Sequence, residues 1–393
     1  VSELCDFIEQ SPVFAGAELE PIVMEWIASK EWPVGKVMNA FRVTLVGAAV
    51  GPHIFELTDF IGKEETLRRA RRALDVLPEK GLRLVSTLDG RLQEFAEELM
   101  VGKIGSVVAI EPSTGEILTM VSSPTFNPDE LVIGKERGNN YAKEINNPRM
   151  PLWNRAVKSR YPPGSTFKLV TGLIGMQEDV LRPHYTYSCN MGYHLGGEHI
   201  GCHEHRSPLA FSYAIATSCN AYFCYVFRNI LENKEYESIK DAYDVWCDYV
   251  ESFGFGRKLE SDFLGEGRGY VPDRAFYDKR YHKSWNALTT LSLSIGQGEI
   301  GCTPLHLANL CATIANRGFY YIPHIVKDSE NVSIDPKYKE KHYTMVDQKH
   351  FATVVKGMYR AVNSGFGSGA TASIAAVEGL DICGKIGTAQ NPH

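Results

Sequence analysis

Leu19, Ile22, Val23, Trp26 and Ile27 recur three and four positions apart, the spacing of one face of a helix. Trp32-Pro33-Val34-Gly35 interrupts that helix. Lys36 to Ala49 predicts a second apolar-rich helix, ended by Val50-Gly51-Pro52-His53. Phe55 to Ile61 reads as a short amphipathic helix or turn. Lys63 to Arg72 predicts a charged helix with acids first and bases last, which suits the helix dipole. Residues 1–78 are expected to form a small all-α segment.

Asp75 to Gly81 reads as a linker, with a junction at 79–82, and the pattern then changes. Arg83 to Thr87 is strand-like and Gly90 to Met100 helical. Ser106 to Ile110 and Glu116 to Val121 predict a hairpin turned at Pro112-Ser113-Thr114-Gly115. Helices, loops and short strands alternate from there on. Residues 83–393 are therefore expected to be α+β, an antiparallel sheet packed with helices. The chain contains no internal repeat and no low-complexity tract.

Composition sharpens this picture. The 393 residues are 44% hydrophobic and 22% charged, which excludes a disordered or collagen-like chain. With 41 basic against 47 acidic residues, the net charge of -6 argues against nucleic-acid binding by bulk electrostatics. No window approaches the ~20 continuous apolar residues of a membrane span. Val1-Ser2-Glu3-Leu4-Cys5-Asp6 has neither the basic nor the apolar region of a signal peptide. As written, the chain is expected in the cytoplasm.

Three short motifs carry candidate chemistry. Pro162-Pro163-Gly164-Ser165-Thr166-Phe167-Lys168 places Ser165 at a helix start, where backbone N–H groups favour a developing anion. Lys168, three residues on, shares its helix face. A serine hydroxyl needs a base to become nucleophilic, and a buried lysine with a lowered pKa can be that base. Alone, Ser-x-x-Lys also describes a capped helix with a surface lysine. Ser218-Cys219-Asn220 then supplies Ser-x-Asn, and Lys385-Ile386-Gly387-Thr388 supplies Lys-x-Gly-Thr after the strand-like Leu380 to Cys383. The order of the three makes chance a poor explanation.

Nine cysteines are too few for a disulfide scaffold of this length. Cys189, Cys202, Cys219 and Cys224 lie close together, and His184, His194, His199, His203 and His205 fall in the same stretch. The bland reading is reduced core thiols and surface histidines. By spacing, the metal ligands would be Cys189, Cys202, His205 and Cys219, with His203 as a substitute. The ion would be a structural zinc, and serine chemistry calls for no organic cofactor.

These motifs resemble the transpeptidase domain of class B penicillin-binding proteins, most closely type 2, over roughly residues 82–393. Val107 to Leu118, Asn154-Arg155-Ala156, Gly296-Gln297-Gly298 and Cys302-Thr303-Pro304-Leu305 strengthen the resemblance. It implies a serine β-lactamase/transpeptidase-like fold and a peptidoglycan D,D-transpeptidase. Ser165 and Lys168 would be nucleophile and base. Ser218 and Asn220 would relay a proton and hold the substrate amide, and Lys385, Gly387 and Thr388 would bind the substrate. The N–H groups of Ser165 and Thr388 would form the oxyanion hole. Ile386 departs from the family's usual Ser or Thr. Some type 2 members carry zinc in the corresponding region. The partners implied are stem peptides, β-lactam antibiotics and a membrane glycan polymerase of the elongation machinery, on the periplasmic side of the inner membrane. The family continues beyond Lys-x-Gly-Thr with a strand and helix, so a truncated domain of low stability is expected.

Trp32 to Arg42, Gly51 to Phe55 and Ile61 to Thr66 resemble instead the C-terminal anticodon-binding end of bacterial glutamyl-tRNA synthetase, over about residues 3–77. That implies a fusion of two coding regions or an assembly artefact. Arg68, Arg69, Arg71 and Arg72 could touch RNA or simply solubilise a helix. Three other readings compete. A serine β-lactamase shares the motifs, but Glu-x-x-Leu-Asn is missing after Asn220. A non-enzymatic β-lactam sensor would be acylated without cross-linking. A tRNA-binding fragment would leave the C-terminal half inactive.

Overall fold

The computed structural model describes residues 1–48, 51, 53–75, 83–134, 136–329, 334–365 and 367–389. The chain forms two compact units, Val1–Arg83 and Leu84–His393. The junction expected at 79–82 lies outside the described residues, as do Ala49, Val50 and Pro52 at the expected end of the second helix.

The first unit consists of five helices, Ser2–Gln10, Gly16–Ser29, Val34–Val46, Ile54–Ile61 and Lys63–Asp75. Leu19, Val23 and Ile27 bury the stripe that the spacing predicts, against Leu4, Ile8, Phe41, Leu45 and Phe55. Ile22 is left facing out, and Trp26 stacks on Phe7 at 4.7 Å. Three of the four clustered arginines are engaged by carboxylates. Arg68 and Arg69 share Glu65, and Arg71 reaches Asp6 and Glu9.

The second unit pairs its strands antiparallel throughout, but as five two-stranded ladders among the described residues, not one sheet. The predicted hairpin is present as Gly105–Ile110 against Ile117–Ser123. Leu84–Ser86 finds its partner in the distant Val326–Ser329. The strand expected at Leu380 to Cys383 is not formed. That segment hangs on the helix Phe351–Asn363, where Asn363 Nδ2 donates to Ile382 O (2.8 Å) and Gly384 N donates to Met358 O (3.2 Å). The Ile382 carbonyl and the Gly384 amide are thus held by a helix, while the Leu380 and Ile382 amides make local turn bonds.

The core of this unit gathers around the helices Lys168–Gln177, Asn220–Leu231 and Ile239–Ser252. Trp246 sits at its centre, edge-on to Phe227 (5.3 Å) and Phe167 (6.1 Å). Burying aromatic side chains of this size supplies most of the local stabilisation, at roughly 1.5–3 kcal/mol each. Among the described residues, no helix is long and apolar enough to cross a membrane.

Candidate active site

The first motif is fixed by backbone sterics before any side chain acts. Pro162 and Pro163 lead into a short 3₁₀ turn, Gly164–Thr166, and then the helix Lys168–Gln177. Thr166 Oγ1 closes the turn on Pro163 O at 2.7 Å. Gly164 has φ +57° and donates to Gly296 O at 2.9 Å. A Cβ on Gly164 would lie 2.7 Å from Thr388 O, so only glycine lets the third motif close over this turn. Ser165 is half-buried at that closure. Phe167, edge-on to Phe255 at 5.6 Å, nails the turn to the core.

Lys168 is fully buried. Its ammonium donates to Ser218 O (2.6 Å), Asn220 Oδ1 (2.5 Å) and Ser218 Oγ (3.1 Å). The first two motifs are therefore joined through one amine. Ser218 holds φ +58°, an uncommon conformation for a side-chain-bearing residue, and turns its hydroxyl and carbonyl together toward that amine. Cys219 follows as the cap of Asn220–Leu231, its sulfur accepting from Tyr222 N at 3.4 Å.

Lys385 brings in the third motif. Its ammonium donates to Ser218 Oγ at 2.8 Å and to Ile386 O at 2.9 Å. Ser218 Oγ thus receives both lysines. Burial pulls Lys168 down to about 8, against the opposing pull of nearby thiols. Burial, with Lys168 beside it, pulls Lys385 down to about 7. Gly387 and Thr388 are exposed, and Ile386 is 40% exposed. Proton exchange between Lys168 and Ser218, and attraction of an anion beside Lys385, are the chemistry these contacts allow, with Ser165 one helical turn away.

Behind the second motif, Cys189, Cys202, His205 and Cys219 place their ligand atoms within 4.8 Å of one another. Cys202 Sγ lies 3.4 Å from His205 Nε2 and accepts from Asn220 N at 3.3 Å. Hydrogen bonds from Cys219, Asn220 and His205 hold the Cys202 thiol well below its ordinary range. Its neighbour Cys202 and burial push Cys219 the other way. His203 is exposed with its ring 5.4 Å from that of His205, and it lies outside the group. His194 and His199 stack on each other at 4.5 Å along a hairpin, also outside it.

The three motifs read from the sequence come together here, through contacts that the sequence did not show. The contact of Gly164 with Thr388, the sharing of Ser218 by two lysines and the sulfur behind Asn220 all link residues far apart in the chain. Asn220 Nδ2 donates to Gly201 O at 2.7 Å, so the strap carrying the cysteines also aims a motif side chain. Arg155 is buried and donates to Arg149 O (2.6 Å) and Met150 O (3.0 Å), which makes it structural.

Known proteins match this geometry. Residues 105–392 match the penicillin binding protein transpeptidase domain, and residues 1–74 an anticodon binding domain. Peptidoglycan D,D-transpeptidase MrdA of Acinetobacter baumannii is 31% identical over 322 residues, 80% of this chain and 45% of that protein. Pseudomonas aeruginosa PBP2, in a crystal structure with WCK 5153, superposes with a TM-score of 0.64 at 29% identity, covering 76% of this chain and 66% of that one. A structure titled for the coordination of polymerization and crosslinking by a peptidoglycan synthase complex gives 0.67 at 28% identity, covering 80% and 54%. The chain spans about half the length of the curated relatives it matches. With the transpeptidase match extending over more than half of its residues, this chain belongs to the penicillin-binding protein transpeptidase family.

Proposed function

We propose that the second unit is a peptidoglycan D,D-transpeptidase acting through an acyl-serine. The observation that supports this best is the buried Lys168 amine, hydrogen-bonded to both Ser218 and Asn220 one helical turn from Ser165. Ser165 Oγ attacks the carbonyl carbon of the penultimate D-Ala and its proton passes to Lys168 Nζ. The C–N bond breaks, and the terminal D-Ala leaves as an amine with a proton relayed through Ser218. Asn220 holds the substrate amide. Lys385, Gly387 and Thr388 hold the terminal carboxylate. The N–H groups of Ser165 and Thr388 stabilise the oxyanion, about 2.7–4 kcal/mol per donor. The amine of a second stem peptide then takes the acyl group and frees Ser165. β-Lactams acylate the same oxygen. Fluorescent penicillin should label the parent at Ser165 and leave Ser165→Ala unlabelled; equal labelling of both defeats the reading.

The residues Cys189, Cys202, His205 and Cys219 fit a zinc ion, three sulfurs and one imidazole nitrogen being a usual closed donor set. When bound, zinc would supply a structural cross-link between the cysteine strap and the Ser-x-Asn turn. Metal analysis of native protein tests this, and a chelator should lower the melting temperature of the parent but not of Cys202→Ser. The site is proposed to work on the periplasmic side with a glycan polymerase, supported by the likeness to a peptidoglycan synthase complex.

For the first unit, we infer descent from the anticodon-binding end of glutamyl-tRNA synthetase, fused to the second. Pairing of Arg68, Arg69 and Arg71 with carboxylates favours helix solubility over RNA contact. A mass-spectrometric peptide of native protein spanning Leu74 to Arg83 supports the fusion, and separate chains ending before it would refute it.

A further inference from the structure

Three cations without an acidic partner among the described residues lie on two segments brought together beside the start of the Ser165 turn. Lys158, Arg160 and Arg268 are exposed, and none joins an ion pair among the described residues. Backbone pairing brings their segments together. Tyr161 and Cys302 exchange hydrogen bonds of 2.9 Å in each direction, and Tyr270 and Gly301 exchange bonds of 2.7 and 2.9 Å. Gly301–Cys302 therefore runs between the Arg160 segment and the Tyr270 segment.

The side chains are held as well as placed. A Cβ on Gly301 would come 2.5 Å from Arg160 Cγ, so Arg160 lies across bare backbone. Its guanidinium carbon stands 5.5 Å from the ring centre of Tyr270. Lys158 Nζ stands 5.7 Å from the ring of Trp153, and Trp153 Nε1 is fixed on Ser159 Oγ at 2.8 Å. Burial, Asp273 and Glu299 push the Tyr270 hydroxyl up while Arg160 and Arg268 pull against them. The two acids are already engaged, Asp273 by Phe276 N (2.7 Å) and Glu299 by the Tyr277 hydroxyl (2.8 Å).

Distance and charge indicate what the strip meets. Arg160 precedes Ser165 by five residues, so at ~3.3–3.6 Å per residue their Cα atoms are at most about 18 Å apart, the extended length of a five-residue peptide. The chain as a whole carries -6 and repels anions, so an acidic ligand must be drawn by a local feature. Guanidinium forks match carboxylates, and cations held flat on aromatic rings lose little freedom when they bind.

We propose that Lys158, Arg160 and Arg268, floored by Trp153 and Tyr270, bind the free carboxylates along the body of an acidic stem peptide whose D-Ala–D-Ala end lies at Ser165. This rests on the transpeptidase reading above and adds a substrate determinant to it. The test uses an acidic stem pentapeptide and the same peptide with its internal carboxylates amidated. Each is measured for how far it slows fluorescent-penicillin labelling of Ser165, and for D-Ala release, in the parent and in Arg160→Gln/Arg268→Gln. The acidic peptide should compete about tenfold more weakly in the variant, and more weakly at high salt in the parent. The amidated peptide should compete equally in both proteins. Labelling without peptide should be unchanged, which also reports intact folding. Equal competition by the two peptides in the parent, or unchanged competition in the variant, overturns the proposal. Carboxylate-dependent competition without D-Ala release would instead defeat the transpeptidase reading and leave the strip standing.

Discussion

The floor and the rim of the site are held in different ways. The floor is Ser165 and Lys168, on a turn and helix clamped by Phe167, Phe255 and Trp246, with Lys168 wholly buried. The rim is Lys385 to Thr388, a segment without ladder bonds that rests on Gly164, the Pro163–Thr166 turn and Ser218. The floor is positioned by packing of buried side chains on all sides. The rim is positioned by a few polar contacts and one glycine-permitted approach. Chemistry that must be repeated identically belongs on the floor, and recognition that must admit and release a ligand belongs on the rim.

The largest way to break this contrast is Ser165→Ala, which should reduce penicillin labelling to background while leaving the melting temperature unchanged. Next is Lys168→Met, which keeps the volume and removes the base. Labelling should fall by about 10²–10⁴-fold, the usual worth of a general base. In the parent, Lys168 must be neutral to accept a proton, and burial has lowered its pKa to about 8. The labelling rate should therefore climb with pH up to about 8 and level off, and Lys168→Met should lose that limb. Gly164→Ala probes the rim. It puts a methyl against Thr388 O and strains a left-handed turn, at about 1–3 kcal/mol. Labelling should slow while the helix content by circular dichroism stays constant; unchanged labelling would mean that the rim does not need this approach. The smallest effect is expected of Ile386→Thr, which restores the hydroxyl usual in the family at a 40% exposed position. One hydrogen bond near solvent shifts labelling by no more than about tenfold.

The same contrast explains what could be read from the chain. Local, repetitive signals were legible. The helical stripe of Leu19, Val23 and Ile27, the hairpin around Pro112 to Gly115 and the three motifs depend on residues near one another in sequence. The gathering of Cys189, Cys202, His205 and Cys219 was legible too, because they lie in one short stretch and the Ser-x-Asn turn that follows it. The strand expected at Leu380 to Cys383 failed because an apolar alternation specifies a side-chain pattern and not a partner. Here the helix Phe351–Asn363 and local turns supply the hydrogen bonds that are formed. The pairing of Leu84–Ser86 with Val326–Ser329, and of Gly301 with Tyr270, likewise joins segments that no local pattern connects.

One hydroxyl, that of Ser218, accepts from both lysine amines at 3.1 and 2.8 Å. Two cations crowded on a single oxygen repel, so the pocket is built to carry one mobile proton where two would stand in water. A carboxylate settling on Lys385 draws that proton to the rim and leaves the floor amine empty-handed, ready to receive another. Ligand arrival would thereby arm the base, and because the proton only passes from one amine to the other, calorimetry in buffers of different ionisation heat should register no net proton uptake as the anion binds.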